Sequence, residues 1–574
     1  MPIIVGAKAS KSVTDAAAQL AQYLSQMSGA TFTVERGDGK TGLALGVAAE
    51  FPALRIDVSF DLNDPTQRED YLLRSHAHGV YLIGSTYLAV QHAVWDILYR
   101  LGYRQFFPGK NWEIVPRMPE LRVAVDQREH PHYLARQIWF SYSTWPENLR
   151  EHSEWSARNR ATSGVEISIS HAYDRIVQAN KEAFAVHPEY FSIVNGKPTS
   201  KFNIANRDLR KLVVDHAIRY FEKYPTADSI SMEPSDQGSW GDSAEEKQLG
   251  SISDRVVLLA NEVAEAVSNR FDRKYIGLLA YKQHSPPPNI RVHPNVVVHV
   301  ATSYTASFSK GSSVAQLLEG WKKQGATIGI YEYYSIPAWD RDMPRVGGAS
   351  RLDSLQSTIP RFYRIGARFM SAESSDNWGP HGLGYYLAAR MLWNTDEASR
   401  LDELVNDFLD KAFGPARGPM ADYYKLLRPD PLVPITDRTT VANDGLPMTD
   451  SYVGRLYRNL QAARKLSNDR AIRARLDDLV LYTRYVELYG AYFNAKGSER
   501  QSAFESIIRF SYRIRRTHMV HSRGLYLSLP DVDRSVNLPD AARWTVDEPA
   551  NPWKSSEPFK PEEIEGFIQA GVTK

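Results

Sequence analysis

Carboxylates and aromatic rings recur together just beyond short apolar runs in this chain. The stretch SISMEPSDQGSWGD sets Glu233, Asp236 and Asp242 around Trp240. TIGIYEYYSIPAWD carries Tyr331, Glu332, Tyr333, Trp339 and Asp340, and RFMSAESSDNWG carries Glu373, Asp376 and Trp378. Tyr281, Lys282 and His284 follow IGLLA, His171 and Tyr173 follow GVEISIS, and Arg136 and Trp139 lie within YLARQIWF. A carboxyl pressed against aromatic rings resists ionisation and can deliver a proton near neutral pH, while a second one in a polar setting stays charged.

Two such carboxyls inside an aromatic wall suit a sugar. Ring faces stack on the C–H side of a pyranose, carboxylates bind hydroxyls, and cleaving a glycosidic bond needs one acid at the leaving oxygen and a second group across the ring. The expected catalytic set is Glu233, Asp236, Glu332 and Glu373, with Glu233 as the preferred general acid and Glu332 or Glu373 as its partner. The expected binding set is Arg136, Trp139, His171, Trp240, Tyr281, Lys282, Tyr331, Tyr333 and Trp378. With a 2-acetamido sugar, the substrate's own carbonyl oxygen would attack while Asp236 orients the amide and Tyr281 or Tyr333 hydrogen-bonds it. With a uronic acid, Lys282 or Arg136 would hold the sugar carboxylate.

Plainer readings compete with each of these. A lone Glu after a strand often caps a helix or pairs at the surface. Alternate residues of the Tyr331 to Tyr334 run would face outer helices. Trp240 and Trp378 follow polar residues, which argues against a place in the core.

Other chemistries lack their signals. Cysteine is absent from the 574 residues, which removes disulfides, thiolate nucleophiles and thiolate metal sites. The histidines have no HExxH-like spacing, and no GxGxxG after a strand, P-loop or GxSxG elbow occurs, so neither metal nor cofactor is expected. A net charge of +2 without a long basic run argues against nucleic acid. No apolar run reaches the roughly 20 residues of a membrane helix. The start MPIIVGAKASKSVTDAAAQL reads as a strand and an amphipathic helix, not as a signal peptide or anchor. A periplasmic or secreted location is expected, with any export signal outside this sequence; a cytoplasmic one stays open. The expected partner is an oligo- or polysaccharide, and a homodimer is left open.

The elements that must position these residues fall into three zones. Residues 1–125 alternate strands and helices as a small α/β domain: PIIVGA, TGLALGV and a strand pair around His78, with helices over SVTDAAAQLAQYLSQMSG and TYLAVQHAVWDILYRLG. Residues 130–398 alternate strand and helix about eight times, the pattern of a (β/α)8 TIM barrel, whose functional groups gather at the C-terminal ends of its strands. The eight candidate strands are YLARQIWF, GVEISIS, FSIVNGKPTSKFNI, SISME, KYIGLLAY, NVVVHVAT, TIGIYEYY and ARFMSAE. Residues 399–574 are read as an α-helical domain, broken by the proline-rich LLRPDPLVPITD and a tail from Pro539.

GVYLIGSTYLAVQHAVWDILYRLGYRQFFPG resembles the end of the N-terminal domain that precedes the barrel in family 20 hexosaminidases and family 67 α-glucuronidases. HAYDRIV, HPEYFSIVNGKP, FNIANRDLRKLVVDHAIRYF, SISMEPSDQGSW, GLLAYKQHSPPPNIRVHPNVVVHVATSY and GYYLAARMLWNTD resemble, in order, landmarks of the domain-of-unknown-function 4838 proteins. That group includes glycoside hydrolase family 163, endo-β-N-acetylglucosaminidases acting on complex N-glycans. The resemblance spans roughly residues 70–400. It implies a glycoside hydrolase, with Asp236 at the acidic position after the fourth strand, Glu373 at the eighth-strand glutamate, Glu332 after the seventh strand and His171 after the second. The chain departs from the pattern in lacking a Cys-x-Cys pair and in carrying the additional Glu233. The alternatives are a non-catalytic carbohydrate-binding barrel, a polysaccharide lyase and an α-glucuronidase-like exo-hydrolase.

Overall fold

A computed structural model describes residues 1–54, 56–429, 449–542 and 553–574. The first sheet has six strands in the order Val34–Arg36, Ile3–Val5, Gly42–Val47, Gly79–Gly84, Tyr71–His76 and Asp126–Glu129, the last two running antiparallel to their neighbours. Helices Lys11–Ser28 and Tyr87–Arg100 start at Ser10 and Thr86, whose hydroxyls accept from Val13 and Ala89 N–H groups and satisfy donors left open at a helix start. Val13, Leu20, Leu24, Val90, Val94 and Leu98 recur at helical spacing and bury against Ile3, Leu45 and Leu82.

The second large sheet is parallel throughout. Its six strands run in the order Ser229–Ser231, Tyr275–Ala280, Val296–Ala301, Thr327–Tyr333, Phe369–Ser374 and Ala135–Phe140. It curls, so that the strand nearest the chain's start pairs with the one nearest its end. Alternation divides each strand: Leu278, Val298, Val300, Ile328, Ile330, Met370 and Ala372 meet the outer helices. Ala135, Leu279, Val297 and Phe369 fill the inside. Lower in the ring, a Cβ on Gly329 would lie 2.6 Å from the His299 ring, so glycine makes room for it. Burial drives the His299 pKa down to about 3 and keeps it neutral.

Two of the eight expected strands lie outside this sheet. FSIVNGKPTSKFNI folds back as an antiparallel hairpin, Phe191–Val194 with Lys197–Phe202. The Asn195-Gly196 pair, both at positive φ, turns it; the apolar residues on either side had suggested one continuous strand. GVEISIS does occupy the gap between Ala135–Phe140 and Ser229–Ser231, and Val165, Ile167 and Ile169 point inward as alternation demands. Its backbone makes no ladder. Side chains join it instead: the Ser229 hydroxyl accepts from the Ser168 N–H at 2.7 Å and donates to Glu166 O at 2.8 Å, and the Ser231 hydroxyl donates to Ser170 O at 2.7 Å. The segment presses so far in that a Cβ on Gly277 would meet Ser168 O at 1.9 Å.

Helices Asp450–Leu466, Arg470–Asn494, Gly497–Arg513 and Ser522–Val532 continue the core of the outer layer. The proline-rich stretch lies outside the described residues from position 430, as does the tail between 543 and 552. Among the described residues no helix is long and apolar enough to cross a membrane.

One buried ion cluster ties the late helices to the sheet. His518 sets Nδ1 2.8 Å from Asp376 Oδ1 and Nε2 2.7 Å from Glu151 Oε2. Burial opposes its charge, yet the two carboxylates raise its pKa to about 9. Asp376, buried too, is held below its ordinary pKa by His518 and Asn148. The raised His518 pKa gives stability that is complete below about pH 6.5 and is lost as pH rises through about 9. His518→Ala should cost about 3–5 kcal/mol in urea unfolding at pH 7, because it strands a buried carboxylate. The deficit should shrink above pH 9; a deficit independent of pH would contradict the ion cluster.

Candidate active site at the C-terminal edge of the parallel sheet

Strand parity chooses which side chains reach the opening. In the ladder, Tyr333 pairs with Glu373 and Glu373 with Trp139, so these three share a level and an inward face. Tyr331 lies one inward step below, and its hydroxyl donates to Glu373 Oε2 at 2.8 Å. Trp139 donates from Nε1 to Ser371 Oγ at 3.0 Å and lies edge-on to Tyr331. Rings continue round the mouth: Tyr331 to Tyr333 at 5.1 Å, Tyr333 to Trp339 at 5.2 Å, Trp339 to Tyr304 at 5.7 Å and Tyr304 to Tyr281 at 5.6 Å between centroids. Tyr281 in turn stands 6.4 Å from His171.

Two carboxyls belong to this wall, and their surroundings drive them apart. Desolvation raises the pKa of Glu373, and the hydrogen bond from Tyr331 only partly offsets it. Burial also disfavours the charge of Asp236, but Lys282 Nζ at 2.8 Å, His171 and a hydrogen bond from Tyr281 outweigh it and hold that pKa below its ordinary value. Tyr281 serves Asp236 as Tyr331 serves Glu373, and desolvation pushes both phenols far up, so they remain donors. The mouth thus holds a carboxyl biased toward its acid form and another biased toward its anion.

The loops of this edge are bent hard. Tyr142, Ser143, Lys282, Tyr304, Arg341 and Asp342 all have φ between 46° and 61°. Side chains rarely adopt this left-handed region, and clusters of it mark sites that neighbouring structure must enforce.

Several residues from the sequence reading go elsewhere. Glu233, the preferred acid, has no exposed surface: Oε2 accepts from the Leu279 N–H at 2.8 Å and Oε1 contacts His284 Nε2 at 3.0 Å. It braces its own loop against the next strand. Glu332 has the opposite parity to Tyr331 and Tyr333, so it turns to the outer layer and accepts from Thr302 Oγ1 at 2.7 Å. Arg136 is wholly buried, with its guanidinium on both oxygens of Glu69 at 2.9 and 2.7 Å and on three carbonyls, at the seam with the first sheet. Trp378 is also fully buried, 4.7 Å from Trp155. It opens a helix, Trp378–Trp393, that is covered on every side, so the polar residues before it end a strand instead of forming a rim. Trp240 is half-buried between Lys201 Nζ, 5.0 Å from its ring, and His284.

Trp139, His171, Asp236, Tyr281, Lys282, Tyr331, Tyr333 and Glu373 are brought together. Tyr304 and Tyr142, absent from the expected set, join them; each stands within three residues of a strand's last residue, the signal that could have found them. Among the described residues, no group of three or more His, Asp or Glu side chains could hold a metal ion.

A family model described as a domain of unknown function, DUF4838, matches residues 107–425. No curated protein matches the sequence. Among solved structures, a family GH115 4-O-methyl-α-glucuronidase, BtGH115A, with specificity for decorated arabinogalactans, is similar with a TM-score of 0.59 and 14% identity, over 96% of this chain and 81% of that one. A family 89 glycoside hydrolase from Clostridium perfringens, solved with PUGNAc, is similar with a TM-score of 0.50 and 10% identity, over 88% of this chain and 66% of that one. At such identities the likeness concerns the fold.

The Arg136 placement is checkable. Arg136→Ala should lower unfolding stability by about 3–5 kcal/mol by leaving Glu69 buried without its main partner. Unchanged stability together with weakened sugar affinity would return Arg136 to the mouth.

Proposed function

This chain belongs to the DUF4838 family, and on that premise we propose that it is a glycoside hydrolase acting on a glycan at the C-terminal edge of the parallel sheet. The observation that carries this reading is the opposed tuning of Glu373 and Asp236 within one aromatic wall. The two solved structures described above support it, since both are named as enzymes acting on carbohydrate.

Glu373 is the general acid. The Tyr331 hydroxyl occupies Oε2, which leaves Oε1 to carry the proton to the glycosidic oxygen. Asp236 stays ionised and faces the anomeric carbon as positive charge develops there, either attacking it or steadying the substrate's own attacking group. Tyr281 and Lys282 hold its carboxylate in place. Tyr331, Tyr333, Tyr304 and Trp339 offer ring faces to the sugar, and burial in this wall favours the acid form of Glu373.

The preferred substrate class is a β-N-acetylglucosaminide of an N-glycan or polysaccharide, in which Asp236 orients the 2-acetamido group. A second reading, an acidic sugar, draws on the cations beside Asp236: Lys282 at 2.8 Å and the buried Lys201. Chromogenic N-acetyl-β-glucosaminides and glucuronides decide between them.

Glu373→Gln should lower kcat about 10²- to 10⁴-fold on substrates with a sugar leaving group, and far less on aryl glycosides whose leaving group needs no proton. Asp236→Asn should fail on both. The pH profile follows from the shifts. kcat/KM should fall on the acid side only below the ordinary carboxylate range, as Asp236 gains a proton, and on the alkaline side above that range, as Glu373 loses one. Glu373→Gln should abolish the alkaline limb. Full turnover in Glu373→Gln would point to a different acid, sugar affinity without turnover in the wild type would point to the binding-barrel alternative, and a product absorbing in the ultraviolet would point to a lyase.

A further inference from the structure

Glu373 stands between two strands whose aromatic residues meet where Trp139 lies edge-on to Tyr331. On the side of the Thr327–Tyr333 strand lie Tyr331, Tyr333, Tyr304 and Tyr281, leading to Asp236. On the other side, across the ladder to Ala135–Phe140, lies Trp139, paired in register with Glu373, and beyond it Tyr142. Trp139 is 37% exposed and Tyr142 is 41% exposed, whereas Tyr333 is buried at 7%.

Tyr142 is held there at a cost. It and Ser143 are consecutive residues in the left-handed region, at φ 61° and 56°, a conformation that is unfavourable for a residue with a Cβ. The neighbours supply the restraint. The Ser141 N–H donates to Ser374 O at 3.0 Å, Ser143 O contacts His521 Nε2 at 2.6 Å, Thr144 Oγ1 donates to Asp376 Oδ2 at 2.7 Å and Trp145 Nε1 donates to Ser522 Oγ at 2.6 Å. Every residue around Tyr142 is tied down, yet among the described residues its own hydroxyl has no hydrogen-bond partner. The ladder that pairs Ser374 with Phe140, and its continuation from the Ser141 N–H to Ser374 O, set Tyr142 just beyond the strand end that carries Glu373. Glycine or asparagine would turn the chain here more cheaply. The fold bends its backbone to present a partly exposed aromatic ring at the edge of the mouth.

Resting on the glycosidase reading above, we propose that Trp139 and Tyr142 form a platform for the sugar on the leaving-group side of Glu373, so that the substrate is an oligo- or polysaccharide with a sugar aglycone, not a sugar carrying a small non-sugar group. Glu373 then stands between the two bound units, where a proton donor to the bridging oxygen must be. The Tyr142 ring stacks on the aglycone, and its free hydroxyl meets a sugar hydroxyl.

Tyr142→Gly tests this with little risk to folding, since glycine accepts positive φ. For the glycone that the wild-type protein accepts, kcat/KM on an oligosaccharide should fall about tenfold, the effect of losing one contact of about 1.4 kcal/mol. The 4-nitrophenyl glycoside of the same glycone should change by less than about twofold, because the glycone side is untouched. Tyr142→Phe should keep most of the oligosaccharide rate. Equal losses on both substrates would show that Tyr142 merely shapes Glu373, and no loss on either would show no platform; each outcome overturns the proposal while the hydrolase reading stands. If the wild type cleaves no member of a panel of N-acetylglucosaminides and glucuronides, the hydrolase reading fails. Affinity gels containing chitin oligosaccharides, N-glycoprotein or glucuronoxylan then judge the platform alone. Retention that Tyr142→Gly abolishes supports it, and retention that is unchanged, or absent in the wild type, overturns it.

Discussion

The ladder between Phe369–Ser374 and Ala135–Phe140 is the constraint on which the site depends. Its registered pairs, from Phe369 with Ala135 to Ser374 with Phe140, join segments more than two hundred residues apart. A slip of one residue would turn Glu373 toward the helices and put Ala372 or Ser374 in the mouth. The same ladder carries Trp139 to the side of Glu373, and its continuation at Ser141 and Ser374 starts the bend that raises Tyr142. On the opposite edge, Thr327–Tyr333 runs in register with Phe369–Ser374 and brings the Tyr331 phenol onto the carboxyl.

Chemically alike carboxyls meet very different fates in this frame. Glu332 and Glu373 lie on neighbouring strands, and the parity of one residue sends the first outward and the second inward. Glu233 and Asp236 share one loop. The first is buried and its oxygens are taken by Leu279 N–H and His284, while the second reaches an ammonium and remains partly in water. Asp376, three residues beyond Glu373, is claimed by His518, Thr144 and Asn148 and works as a fastener. Position relative to the last paired residue, and the nearest cation, decide whether an acid is biased toward its acid form, held as an anion or used as a brace.

Much of this is legible in the sequence. The short apolar runs YLARQIWF, KYIGLLAY, NVVVHVAT, TIGIYEYY and ARFMSAE alternate with helical stretches as parallel strands do, and residues at their C-terminal ends do converge on one aromatic mouth. The landmark stretches also indicated the family whose model spans residues 107–425. What escaped notice depends on partners remote in sequence. Nothing near Arg136 announces Glu69, and nothing near Trp378 announces that its helix is enclosed by the first sheet's connecting segment and the late helices. Glu233 resembled an exposed acid because Pro234, Ser235 and Gly238 follow it, but the hairpin at Lys197–Phe202 folds over that loop and the Ser200 hydroxyl donates to Gln237 O. The hairpin itself was hidden by the apolar residues of its two arms.

The ring is not closed alike on all sides. Between Ala135–Phe140 and Ser229–Ser231 the staves are joined by the hydroxyls of Ser163, Ser229 and Ser231 in place of a continuous ladder. Such bonds contribute about 1 kcal/mol each and break singly, whereas ladder bonds support one another. Elastic yielding of the wall is therefore concentrated along this seam, which carries His171 and adjoins the loop of Asp236. The strand of Glu373 is held by ladders on both of its edges, whereas the loop of Asp236 adjoins the seam held by side chains.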